Sequence, residues 1–363
     1  MERTFQGDIH LTRYLDSQGN LVQSLPDNPE LAAWLKHCYR NMVLARALDT
    51  KAIALQRTGQ LGTYASMLGA EAIDVSIGLC MRDTDVLVPY YRNHASQFLR
   101  GTAMEEVLLY WGGDERGNAA AGMNQDFPNC VPIATQALHA CGVASAIKIR
   151  GEKRCALTVC GDGGTSKGDF MEALNVAGAW QLPVVFVVNN NQWAISVPRA
   201  IQCGAQTLAQ KAFGAGIRGE QVDGNDAIAM HEVLNRALDR AREGKGPTLI
   251  EAMSYRLSDH TTADDATRYR DNDELKAAWE REPIKRLQTF LHTQGWWDED
   301  QEKAWQEEVS QMIQQAVEGY LATPVQPVEA IFDHLYADMP QGLREQRDWA
   351  VVKAMQGGSH HES

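Results

Sequence analysis

Two short apolar runs near the middle of the chain leave little freedom in how its centre can fold. Arg154 to Cys160 (RCALTVC) and Leu182 to Val188 (LPVVFVV) each have the length and the β-branched content of a buried strand. Between them Phe170, Met171, Leu174, Ala177 and Gly178 recur at the spacing of a helix with one buried face. Strand, helix and strand in so short a span predict a βαβ crossover with parallel strands. The first strand stops at Gly161-Asp162-Gly163-Gly164, and the second runs into Asn189-Asn190-Asn191. Asp162 and Asn191 therefore sit just beyond the carboxyl ends of neighbouring strands, where open α/β sheets bind ligands.

A carboxylate in that turn repels an anionic ligand unless a cation lies between them. Oxygens from Asp162, the Asn191 side chain and a nearby backbone carbonyl suit Mg²⁺, which keeps its other positions for diphosphate oxygens and water. Gly163 and Gly164 let the backbone come close and offer N–H donors. Two rival nucleotide motifs are excluded: the run lacks the third glycine of a dinucleotide fingerprint and the Lys-Ser/Thr pair that ends a P-loop. Taken singly, Gly-Asp-Gly is a plain turn and the asparagines a plain strand end; their pairing on one βαβ unit is what points to a site.

The segment GDGGTSKGDFMEALNVAGAWQLPVVFVVNNNQWAIS, from Gly161, resembles the thiamine diphosphate motif of the alpha subunits of 2-oxo acid dehydrogenases, the decarboxylating component of pyruvate and branched-chain complexes. PYYRNHASQFLRG (Pro89 to Gly101), IATQALHACGVASAIKIRG (Ile133 to Gly151) and HTTADDATRYR (His260 to Arg270) are similar to that family in the same order. The resemblance reaches from Leu31 to Trp349. It implies a thiamine diphosphate-binding α/β fold, a mostly parallel sheet with helices on both faces. It further implies that Asp162, Asn191 and the backbone carbonyl of Trp193 ligate Mg²⁺, Trp193 standing where members commonly carry Tyr. Tyr91 and Arg92 would contact the diphosphate, the guanidinium fork suiting phosphate oxygens. Ile133 would lie against the cofactor's rings, Gly163 and Gly164 would give backbone contacts, and His260 would be the catalytic residue beside the diphosphate and the reaction centre.

Without the resemblance these residues read more plainly. Tyr91-Arg92 is an ordinary surface pair, His260 part of a polar turn, and His94 either a core or a substrate-side histidine. In the family thiamine diphosphate supplies the carbanion chemistry, while the glutamate that activates its aminopyrimidine lies on a beta subunit. No separate pyrimidine-binding domain is evident here. The expected partners are thus that beta subunit, in an α2β2 heterotetramer, the lipoyl domain of the acyltransferase component, and a 2-oxo acid. The chain alone is expected to be inactive.

A net charge of −13 argues against nucleic acid or an anionic membrane as partner. Seven scattered cysteines with no C-x-x-C pair suggest neither a disulfide framework nor a zinc site, and Cys160 reads as a small buried strand residue. With no bilayer-length apolar run and no leader pattern, the expected location is cytoplasmic.

Residues 1–28 read as an extended arm, 29–270 as the thiamine diphosphate-binding domain, 271–350 as a C-terminal helical extension and 351–363 as a disordered tail. Pro29 to Thr58 is helical in pattern, and Ile217 to Val222, Asp226 to Glu243 and Pro247 to Met253 continue as strand, helix, strand with Asp226 as N-cap. The Ala/Gly/Ser-rich helix from Thr135 to Lys148 can meet the sheet or a partner. Trp279, Trp296, Trp297 and Trp305 are expected to anchor the extension.

Asn93-His94-Ala95-Ser96-Gln97-Phe98 looks more like pyruvate-using members, so pyruvate is the preferred substrate. Branched-chain 2-oxo acids are the near alternative, since pockets that differ by a few methylenes discriminate by only about 1–3 kcal/mol for each. Acetoin cleavage and a non-catalytic assembly subunit are further alternatives. An NAD-dependent dehydrogenase is disfavoured by the incomplete glycine fingerprint.

Overall fold

Every pairing in the main sheet is parallel, as buried βαβ crossovers require. The computed structural model describes residues 7–119 and 125–357. In chain order its elements are β1 (Leu11–Thr12), α1 (Leu31–Arg57), α2 (Glu71–Cys80), β2 (Val86–Val88), α3 (His94–Leu99), α4 (Met104–Trp111), α5 (Thr135–Arg150), β3 (Ala156–Gly161), α6 (Gly168–Ala179) and β4 (Val184–Asn190). A small hairpin of β5 (Trp193–Ala194) and β6 (Val197–Pro198) leads to α7 (Arg199–Gln202), α8 (Lys211–Gly214), β7 (Arg218–Asp223), α9 (Ala227–Arg242) and β8 (Thr248–Met253). The rest is helical: α10 (Asn272–Trp279), α11 (Pro283–Thr293), α12 (Glu299–Ala322), α13 (Ala330–Asp333) and α14 (Gln341–Gly357).

Among the described residues the sheet has six strands in the order β1-β7-β8-β4-β3-β2. Alternate residues of its central strands enter two separate cores, because successive side chains of a strand point to opposite faces. Leu157, Val159, Val185, Val187 and Ile250 pack with α2 and α9 on one face. Ala156, Val184, Phe186, Val188 and Leu249 pack with α5 and α6 on the other. The α/β reading of the central segment is thus realised, with helices on both faces.

Asp226 caps α9 as expected, accepting from Ile228 N and Ala229 N, and its second oxygen accepts from Tyr14 N and Leu15 N. That carboxylate ties the N-terminal arm to the sheet edge, where β1 pairs with β7. Helix α5 turns Ala137, Ala140, Ala144 and Ile147 inward, while Leu138 and Ile149 are exposed. One face meets the sheet; the other carries these exposed apolar side chains and His139, whose ring lies against Phe127.

Trp297 and Trp305 are buried anchors: their indole N–H groups donate to Glu302 Oε2 and to the Arg40 carbonyl, and Arg40 stacks over Trp305. Trp279 is exposed, with Arg46 over its ring, and Trp296 is half-buried, edge-on to Phe290, so these two are more peripheral contacts. By contacts the chain divides into units 1–317 and 318–363. Within the second, Val351 to Gly357, expected in a tail, continue α14, since Trp349, Ala350, Val351 and Val352 are ordinary helix formers with no breaker before Gly357. Residues 358–363 of the expected tail lie outside the described residues.

Candidate functional site

β3 ends at Gly161, and the chain turns at once into a short 3₁₀ segment, Asp162–Ser166. Thr165 Oγ1 donates to the Asp162 carbonyl at 2.8 Å, and Lys211 Nζ donates to the Thr165 carbonyl at 2.7 Å. Gln202 Nε2 donates both to the Asp162 carbonyl (3.1 Å) and to Ser166 Oγ (2.7 Å). The turn is therefore held from outside, which frees the Asp162 side chain. Its Oδ2 is buried and has no hydrogen-bond partner among the described residues, and burial pushes the carboxyl up to about 6.

One strand over, β4 ends at Asn190 and the chain reverses through the β5–β6 hairpin. Gln192 (φ +72°) and Ile195 (φ +57°) take left-handed backbone that L-residues adopt at a cost. Between them Trp193 is buried, its indole N–H donating to Tyr255 Oη at 3.2 Å. Asn191 Oδ1 accepts from Trp193 N at 3.2 Å, and the Trp193 carbonyl accepts weakly from Arg256 Nη1 at 3.4 Å. The hairpin lies hard against the first turn. A Cβ added to Gly163 would meet the Ala194 Cβ at 2.7 Å, so glycine is required there by space rather than by φ.

The third wall comes from the turn before α3. Asp74, buried on α2, accepts from Asn93 Nδ2, Ala95 N and Ser96 Oγ, fixing the residues that follow Arg92. Arg92 is itself buried. Its Nη1 donates to the Ser66 carbonyl, and its Nη2 donates to the His260 carbonyl and lies 2.9 Å from His260 Nδ1. His260 sits in the 258–269 loop, where Asp264 accepts from His260 N and Tyr269 Oη. Burial and the neighbouring Arg92 and Arg256 push its imidazole down to about 4.

Tyr91, Arg92, Ile133, Asp162, Gly163, Gly164, Asn191, Trp193 and His260 all line one cavity of about 340 Å³. All nine residues assigned from the resemblance to the cofactor or the metal are thus brought to the same place. His94 is not among its walls; it is buried behind Arg92, Nε2 donating to the Ala65 carbonyl, its ring stacked on Tyr64 and edge-on to Trp111. Of its two readings, the packed core histidine is the one realised. Cys160 also lines the cavity, but burial raises its thiol to about 12, so it is a wall and no nucleophile. Lys167 and Gln136, which sequence reasoning passed over, line it too. Lys167 follows the glycine turn and was legible as a cation beside a candidate anion site; Gln136 lies in an alanine-rich helix and gave no signal.

Among the described residues no three His, Cys, Asp or Glu side chains come together as a metal cluster. A cation here must rest on the one carboxylate, on neutral oxygens and on its ligand's own oxygens. Asp162, with an unpartnered buried oxygen, opposite the Asn191 amide and the Trp193 carbonyl, is a donor set that fits Mg²⁺ held partly by diphosphate.

The Dehydrogenase E1 component family matches residues 39–329. Among curated relatives, the pyruvate dehydrogenase E1 component subunit alpha of Staphylococcus aureus (strain Mu50) is 41% identical over 94% of this chain and 92% of its own length. The 3-methyl-2-oxobutanoate dehydrogenase subunit alpha of Mycobacterium tuberculosis (strain H37Rv) is 40% identical over 90% of this chain and 88% of its own.

Proposed function

The chain belongs to the dehydrogenase E1 component family, and from that membership we propose that it is the alpha subunit of a thiamine diphosphate-dependent 2-oxo acid dehydrogenase. It decarboxylates pyruvate oxidatively and passes the acetyl group to the lipoyl group of an acyltransferase component. The observation that carries this reading is the convergence of nine motif residues from four separate segments on one cavity at the carboxyl ends of β3 and β4.

When bound, thiamine diphosphate would supply a nucleophilic thiazolium carbon and a ring that takes up the electron pair released on decarboxylation. The chain's own residues bind and orient. Asp162, Asn191 and the Trp193 carbonyl would hold Mg²⁺; Arg92, keeping its bond to His260, would offer its remaining N–H groups to the diphosphate, with Tyr91 beside it; the N–H groups of Gly163 and Gly164 would donate to it. Ile133 packs against the rings. His260, its Nδ1 occupied by Arg92, presents an Nε2–H donor toward the reaction centre. Among the described residues that line the cavity, the one carboxylate is Asp162, which the metal would engage, and that supports a site completed by a beta subunit in an α2β2 assembly. No helix among the described residues is long and apolar enough to cross a membrane, and a cytoplasmic complex follows from the reading.

The Mycobacterium tuberculosis relative, nearly as similar as the staphylococcal one, keeps branched-chain 2-oxo acids as the second reading. The deciding experiment co-purifies the chain with its candidate beta subunit and follows oxidation of pyruvate and of 3-methyl-2-oxobutanoate through an artificial electron acceptor, with thiamine diphosphate and Mg²⁺. A pyruvate preference supports the proposal; the reverse moves the chain to branched-chain catabolism. Inactivity with both would leave acetoin cleavage or an assembly role.

A further inference from the structure

Strand β8 carries a carboxylate where a buried strand gains nothing from one. Glu251 stands in the run Thr-Leu-Ile-Glu-Ala-Met, between two paired neighbours, and is 1% exposed. Among the described residues no arginine or lysine pairs with it. Burying such a group costs several kcal/mol unless its hydrogen bonds are complete, and an apolar residue of like size would serve the core better. Its partners are all N–H donors: Asn190 Nδ2 at 2.7 Å on one oxygen, Ala209 N at 3.1 Å and Gln221 Nε2 at 3.0 Å on the other.

The shortest of these bonds leads to the cavity. Asn190 precedes Asn191, and with its amide N held by Glu251 its Oδ1 is turned to accept from Gln192 Nε2 at 3.0 Å and, more weakly, from Gln192 N at 3.4 Å. Gln192 Nε2 also donates to the Asn190 carbonyl at 3.2 Å. Gln192 is the left-handed residue, φ +72°, lying between Asn191 and Trp193. The two oxygens assigned to the cation on this side thus flank a strained residue, and the strained residue is held by an amide that Glu251 orients. Such a conformation is costly for a residue with a side chain and persists only where its surroundings over-determine it.

We infer that Glu251 is a positioning residue for the metal site, acting through Asn190 to hold the left-handed turn at Gln192 that aims the Asn191 side chain and the Trp193 carbonyl at Asp162. The inference rests on the metal reading of the cavity. Residues behind metal ligands typically change affinity by about 10–100-fold when lost.

The test uses the complex of the full chain with its beta subunit and measures Mn²⁺ affinity in the presence of thiamine diphosphate by electron paramagnetic resonance, which counts free Mn²⁺ and needs no turnover. Glu251→Gln sets an NH₂ group among three donors, and Mn²⁺ affinity should fall at least about 10-fold. Adding Gln192→Gly should restore much of that loss, because glycine takes a positive φ without support. A merely structural role for Glu251 would not be rescued at a residue it does not touch. Should Glu251→Gln fail to assemble, Gln192→Ala against Gln192→Gly asks the same question: alanine keeps the strain and loses the tether, and only alanine should weaken Mn²⁺ binding. Wild-type affinity in Glu251→Gln, or equal affinities in the two Gln192 variants, overturns the inference. Absence of Mn²⁺ binding by the wild-type complex removes the metal reading itself, and the inference with it.

Discussion

Arg92 is tied to His260 twice, its Nη2 lying 2.9 Å from the imidazole Nδ1 and also donating to the backbone carbonyl of the same residue. A guanidinium has no lone pair to give, so Nδ1 is the acceptor and the ring proton sits on Nε2. Arg256 Nη1, 3.5 Å from the same Nδ1, adds a second positive charge on that side. His260 is thereby fixed as a neutral Nε2–H donor, and it shares with Arg92 a position that the diphosphate is proposed to claim.

That arrangement predicts the pH behaviour of His260. Its imidazole is pushed below the ordinary 6.5 to about 4, so it stays neutral throughout the range from pH 5 to 8. In ring-labelled protein free of cofactor, its nuclear resonance should not titrate between those values; a midpoint near 6.5 would contradict a His260 held neutral by burial and by Arg92 and Arg256. His260→Ala should leave thiamine diphosphate affinity within a few-fold of wild type and lower reductive acylation of lipoyl groups. Full transfer by that variant would take His260 out of the mechanism.

Asp162→Asn should act with opposite signs in the metal-free and metal-loaded protein. An acid raised from 3.8 to about 6 on folding holds extra protons between those values, so the metal-free fold loses stability as pH rises through them. Above about pH 6 the deficit is on the order of 2–3 kcal/mol. At pH 8 without metal the Asn variant should therefore melt higher than wild type, and at pH 4 the advantage should vanish. With Mg²⁺ and thiamine diphosphate the order should reverse, because only wild type gains the binding term. A cofactor affinity equal to wild type in Asp162→Asn, or in Asn191→Ala, would refute the metal assignment.

Gly163→Ala tests how closely the hairpin closes on the first turn. Its new Cβ would lie 2.7 Å from the Ala194 Cβ, and both sit on backbone that Gln202 and Arg256 hold in place. Overpacking of this kind costs about 1–3 kcal/mol. The expected result is a lowered melting temperature with cofactor binding weakened by displacement of Trp193 and Ala194. Unchanged melting and affinity would mean that the hairpin yields freely.

The central crossover was legible because apolar runs, a glycine turn and a helical repeat agree with one another. Boundaries moved by a residue or two where local chemistry intervened: Arg154 leaves the expected strand to bond Glu152 and the Thr84 carbonyl, and α6 starts at Gly168, before its first apolar residue. Other features depend on pairings distant in sequence and leave no local pattern. β1 is two residues that become a strand only because Leu11 and Thr12 meet Gln221 and Val222. Gln202 bonds the Asp162 turn across 40 residues. Glu251 reads in the sequence only as a break in an apolar run, and its meaning lies in Asn190, 61 positions away.

His94 yields a prediction about stability. It is enclosed by Tyr64, Trp111 and the Ala65 carbonyl, its Nδ1 has no partner among the described residues, and burial, with Arg92 nearby, pushes it down to about 4. Between that value and the ordinary 6.5 the unfolded chain binds a proton that the folded chain does not, so stability falls as pH drops through this window. From pH 7 to pH 5 the loss due to His94 is about 2 kcal/mol. His94→Gln keeps an N–H for the Ala65 carbonyl and cannot protonate. Whatever its packing cost at pH 7, the gap to wild type in thermal or urea unfolding should close by about that amount at pH 5. A gap that stays constant would show that His94 takes up its proton inside the fold, and the enclosed neutral histidine would have to be given up.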